Sequence, residues 1–127
     1  MKHYNNNISE AKRYLHNARE ILKTKGGNGV PGYYSDKKYV RMACHTAWIG
    51  ILEILNHRLP HLPKGKRRTV KDYERYLATR NKKTLNDFVA AYQVLHLSGG
   101  YDGILKKSII EEGIELAEEI IRWCEKN

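Results

Sequence analysis

Six histidines, at positions 3, 16, 45, 57, 61 and 96, and two cysteines, Cys44 and Cys124, are the side chains best suited to acid–base, nucleophilic or metal chemistry. His57 and His61 stand four apart, as two ligands on one helical face would, but Pro60 between them breaks the helix they would need. The cysteines fall on apolar stripes without CxxC or Cys/His spacing, which predicts buried free thiols rather than a disulfide or a zinc site. There is no GxSxG, no HExxH, no phosphate-binding Gly-rich loop ending in Lys and Ser or Thr, and no calcium loop. The glycines at 26, 27, 29 and 32 lack the strand that a dinucleotide fingerprint requires and read as a flexible link. No catalytic residue, no metal and no cofactor is therefore expected.

Two stretches remain as candidate sites. In YQVLHLSGGYDG, Gly99 and Gly100 allow a sharp reversal that would return Tyr101 and Asp102 towards His96, with Tyr92 one turn before it. A carboxylate beside an imidazole raises its pKa and fixes its tautomer, so Tyr92, His96, Tyr101 and Asp102 would line a polar pocket for an anion or a nucleotide edge. The alternative is a core histidine with one partner. The second stretch is the connection that carries Arg58, Lys64, Lys66, Arg67, Arg68 and Lys71, six cations with no acid among them. Tyr73 and Tyr76 follow the cluster rather than sitting inside it, so nucleic acid held there would be bound weakly and without regard to sequence. Before Glu111 there are 21 Lys and Arg against 8 Asp and Glu; from Glu111 on, 6 Glu face 2 basic residues. A basic body with an acidic tail suits phosphate-rich partners, and an ordinary solvated surface gives the same count.

The elements that must position these residues are helices. Ile8, Ala11, Leu15, Ala18 and Leu22 recur at helical steps and predict a helix over 8–24, capped by Asn7 with Glu10. The longest apolar run predicts a helix over 36–59, capped by Ser35, with Val40, Ala43, Cys44, Ala47, Ile51, Ile54 and Leu55 as its core stripe. A narrower seam, Met42, His45, Ile49, Leu52 and Asn56, has heptad spacing and predicts either a place central to a bundle or a homodimer contact. Thr69 with Asp72, and Thr84 with Asp87, read as capping boxes that start helices over 70–79 and 85–98, the second ended by Gly99 and Gly100. A last helix over 103–126 carries Ile110, Ile114, Ala117, Ile121 and Cys124. With no strand pattern, the 127 residues predict one all-α domain, an antiparallel up-and-down bundle of four long helices and one short one. The opening residues are polar and no apolar run approaches the ~18 residues of a membrane span, which predicts a cytoplasmic protein without a membrane partner.

The segment AKRYLHNAREIL, the Gly- and Tyr-bearing link, the run YVRMACHTAWIGILEIL and the closing helix rich in Ile and Glu together resemble the HEPN superfamily, most closely its small uncharacterised bacterial members. The resemblance covers nearly the whole chain. It implies a four- or five-helix bundle, frequent dimerisation, and association with RNA metabolism, nucleotidyltransferase partners or defence systems. Active members are metal-independent ribonucleases that use an Arg, four to six residues, then His. No histidine here has an arginine at that spacing: Arg41 and His45 are separated by only three residues, and the positions required before His96 hold Val89, Ala90 and Ala91. Cleavage at a 2′-hydroxyl needs a base and a cation at the phosphate. The reading that follows is a non-catalytic, homodimeric interaction protein with a partner encoded nearby, an accessory of a nucleotidyltransferase or toxin–antitoxin type of system, ahead of a sequence-independent RNA- or anion-binding module and of a ribonuclease.

Overall fold

The computed structural model describes residues 2–127, with side chains from Asn7 onward; Met1 and the side chains of residues 2–6, His3 among them, lie outside that description. Helix α1 (Lys2–Lys25) is followed by α2 (Lys37–Asn56), the short α3 (Val70–Ala78) and α4 (Lys82–Ala91). The chain then continues through a π-helical segment (Tyr92–Tyr101) to α5 (Lys107–Lys126). Among the described residues the regular structure is all helical, as the sequence pattern predicts.

The long elements alternate in direction. Gly50 of α2 lies so close to α1 that a Cβ there would stand 3.0 Å from the Tyr14 Cβ and 3.2 Å from the Ala11 carbonyl. Ion pairs from Lys12 to Glu125 at 2.6 Å and from Arg19 to Glu118 at 3.3 Å run α1 antiparallel to α5. The predicted stripes of α1, α2 and α5 are all buried, and α2 reaches α5 as well as α1 and the π segment. Helix α2 is thus the central wall of the bundle, and each of its large apolar side chains, once fully buried, contributes roughly 1.5–3 kcal/mol. Among the described residues no helix is long and apolar enough to cross a membrane.

Several boundaries move, each for a local reason. Asn7 lies inside α1 instead of capping it. Helix α2 is capped by Asp36, whose carboxylate accepts from the Lys38 N–H at 3.2 Å, and not by Ser35, whose own N–H donates to the Gly26 carbonyl. It ends at Asn56, short of Leu59, because the chain must leave helical geometry before Pro60. The Thr69–Asp72 capping box is formed. Thr84 and Asp87 make no such box: Asn81 caps α4, accepting from both the Thr84 N–H at 2.9 Å and the Thr84 hydroxyl at 3.0 Å, while Asp87 pairs with Lys83. Helix α5 starts at Lys107 rather than 103.

The glycine-bearing link is fastened to the bundle. The Tyr34 N–H donates to the Leu105 carbonyl at 2.8 Å and the Lys107 N–H to the Gly32 carbonyl at 2.9 Å, an isolated bridge that joins the two connections at one end of the molecule.

Candidate functional site

Beyond Ala91 the fourth helix changes from α-helical to i→i+5 bonding and keeps it to Tyr101. Such bonding is rare at this length and recurs at functional sites. Glycines let the segment lie hard against its neighbours. A Cβ on Gly99 would stand 3.0 Å from the Cys44 Cβ and nearer still to its Sγ, and one on Gly113 of α5 would stand 2.6 Å from the Val94 Cγ1 and 2.9 Å from the Leu95 Cδ2. Gly99 and Gly100 therefore do not end the helix, as their type suggests. Gly103, at φ 68, turns the chain, with its N–H donating to the Gly99 carbonyl at 2.9 Å.

That displaced ending decides where the expected pocket residues go. Tyr92 and His96 come together, their rings stacked at 5.2 Å and 26°. Both lie against Trp48 of α2, at 5.6 and 5.7 Å, and Phe88 meets Trp48 at 5.3 Å. Aromatic pairs of this kind contribute about 0.5–1.5 kcal/mol beyond burial, so the cluster fixes the π segment to α2. Tyr101, 72% exposed, and Asp102, also exposed, lie past the stack. The Asp102 backbone N–H donates to Leu97, and among the described residues its carboxylate has no hydrogen bond or ion pair. The structure therefore joins two of the four residues into an aromatic strip and leaves the other two in solvent.

The seam of α2 opens beside this strip. Met42 is 46% exposed, His45 and Asn56 are exposed, and Ile49 and Leu52 are half-buried. The Tyr73 hydroxyl of α3 donates to Asn56 Oδ1 at 2.7 Å and closes the far end of the row. Val89 of α4 is 45% exposed. Tyr92 and His96 follow it on the same side of the helix, three and seven residues on.

The basic connection divides. Arg58 is partly buried and donates to the Cys124 carbonyl in the last turn of α5, where a cation also meets the negative end of the helix dipole. Arg68 donates to the Pro60 carbonyl. Lys64, Lys66, Arg67 and Lys71 are exposed. Between the connection and α3 lies a groove of about 360 Å³ with an aliphatic floor and arginines at its rim. A second cleft, of about 510 Å³, sits at the end of the bundle near the glycine link. There Lys107 lies 5.3 Å from the Tyr34 ring centre and donates to Asn28 Oδ1 at 2.9 Å. Burial, with a smaller contribution from Glu111, pushes the Tyr34 phenol up.

Neither thiol is poised for chemistry. Burial pushes Cys44 up to about 12 and Cys124 up to about 11. Among the described residues no group of three or more His, Cys, Asp or Glu stands close enough to hold a metal ion.

Sequence reasoning passes over Trp48, Arg75 and Arg80. Trp48 follows Cys44 by four and precedes Ile51 by three, so stripe spacing alone could have placed it in the core. Arg75 and Arg80 lie beyond the dense basic run, and only the turn from the connection into α3 brings them to Arg68.

The architecture is that of a small all-helical up-and-down bundle with a π-helical segment continuing its fourth helix. The chain belongs to the family described as domain of unknown function DUF5618, which matches residues 6–126. It is similar to a solved structure described as a protein of unknown function from Dyadobacter fermentans, with 45% identity over 96% of each chain and a TM-score of 0.90. No curated protein matches it.

Proposed function

We propose that this chain is a non-catalytic interaction protein that pairs with a second copy of itself through the row Met42, His45, Ile49, Leu52 and Asn56. The observation that supports this most is the incomplete burial of two rows, Met42, His45, Ile49, Leu52 and Asn56 on α2 and Val89, Tyr92 and His96 on the neighbouring helix. Heptad spacing is the pattern by which one helix seats against another, and a two-fold pair would lay each copy's α2 along its partner's. The resemblance to the HEPN superfamily agrees with dimerisation. It also favours a cytoplasmic accessory role beside a nucleotidyltransferase or within a toxin–antitoxin type of system. A nucleic-acid role for the connection has less support, because Arg58 and Arg68 are already engaged with backbone carbonyls.

The test is sedimentation of the Ile49→Glu variant. A carboxylate in the middle of the row should leave a folded monomer. A variant that still sediments as the native dimer does would remove this face from the reading.

A further inference from the structure

The groove beside α3 carries chemistry that self-association does not use. Leu59, Pro60 and Leu62 give it an aliphatic lining, Arg68, Arg75 and Arg80 its cations, and Asp72 and Tyr76 complete it. From Arg58 to Arg80 the chain has eight Lys and Arg against two acids, Asp72 and Glu74. Asp72 is occupied: Arg75 meets it at 3.3 Å, and the Thr69 N–H donates to it at 2.7 Å. Arg80 remains at the rim with its guanidinium 5.0 Å from the centre of the Tyr76 ring.

Two kinds of anionic partner could meet such a rim, and the floor separates them. Single-stranded nucleic acid is held by cations along the backbone and by open aromatic faces on which bases stack. Tyr76, the aromatic residue lining this groove, is covered by Arg80. An aliphatic floor is filled instead by an aliphatic side chain, and arginines take carboxylates through paired N–H donors. We propose that this groove docks a short acidic, amphipathic segment of another protein. A leucine-like side chain enters between Leu59 and Leu62, and flanking carboxylates engage Arg80 and the guanidinium donors of Arg75 other than the Nη1 that meets Asp72. This surface is separate from the α2 row, so it does not depend on the dimer reading.

The test uses the intact chain and fluorescence anisotropy of three labelled probes: a peptide alternating Glu with Leu, the same peptide with Ser for Leu, and an oligouridylate. The Glu/Leu peptide should bind best. Arg75→Gln with Arg80→Gln should weaken it by about tenfold or more, as loss of charge-assisted hydrogen bonds does. Leu62→Ser should weaken it without a change of charge, while Lys64→Gln with Lys66→Gln should change it little. Circular dichroism checks that each variant keeps its helices. The proposal is overturned if the Glu/Leu peptide does not bind or binds no better than the Glu/Ser peptide. Equal loss on neutralising Lys64 and Lys66 would also overturn it, as would tighter binding of the oligouridylate that ignores Leu62→Ser.

Discussion

Replacing Gly99 by Ala sets helix propensity against packing, and the two disagree in sign. On an open helix, Ala for Gly gains about 1 kcal/mol. Here the new methyl would stand 3.0 Å from the Cys44 Cβ, 3.0 Å from the Val94 carbonyl and closer still to the Cys44 Sγ, with Gly99 and Cys44 both buried. Overpacking of a dense core costs about 1–3 kcal/mol, and an approach this close belongs at the upper end. The net effect is then a loss of about 2 kcal/mol, the upper packing cost less the propensity gain. Urea unfolding followed by circular dichroism measures it. Repeating the substitution in a Cys44→Ala background removes the sulfur, so the loss should shrink there, and the difference is the coupling between the two positions. If Gly99→Ala stabilises by about 1 kcal/mol in both backgrounds, as propensity alone requires, the π segment does not lie against α2 as described.

Three further outcomes follow from the connections and the core. Thr69→Ala should cost about 1 kcal/mol, because it removes the acceptor of the Asp72 N–H from the capping box. The Thr69 backbone N–H holds the Asp72 carboxyl below its ordinary value. Its contribution is therefore present above the unfolded value of about 3.9 and is lost as pH falls through the lower folded value. Asp72→Asn should flatten that part of the pH–stability curve, and an unchanged acid limb would contradict the assignment. Cys44 and Cys124 should resist a thiol reagent at pH 8 in proportion to global stability, since labelling requires unfolding; rapid modification of the native protein would contradict their burial.

The core was legible because helical burial repeats at three and four residues. Every residue named in the α2 stripe, from Val40 to Leu55, is buried. The Thr69–Asp72 box was legible because its chemistry is local. Thr84 looked like the same device, but Asn81 offers an acceptor three residues earlier, and the Thr84 hydroxyl turns inward to meet it. Gly99 and Gly100 were misleading for a deeper reason. Glycine ends helices when it takes a positive φ, but here it serves a close approach between helices, and the sequence alone does not separate the two uses. Arg75 and Arg80 reach Arg68 only after the connection folds back along α3, a long-range arrangement that no spacing rule encodes. The seam of α2 was legible as a row. What covers it was not, because a row of apolar side chains is the same whether a neighbouring helix or a second copy meets it.

Sedimentation velocity of the native chain over a range of concentrations decides whether the α2 row joins two copies. The native chain should sediment as a dimer that dissociates on dilution, and Ile49→Glu should abolish that dimer while helicity is kept. A native chain that remains a monomer at every concentration would contradict it.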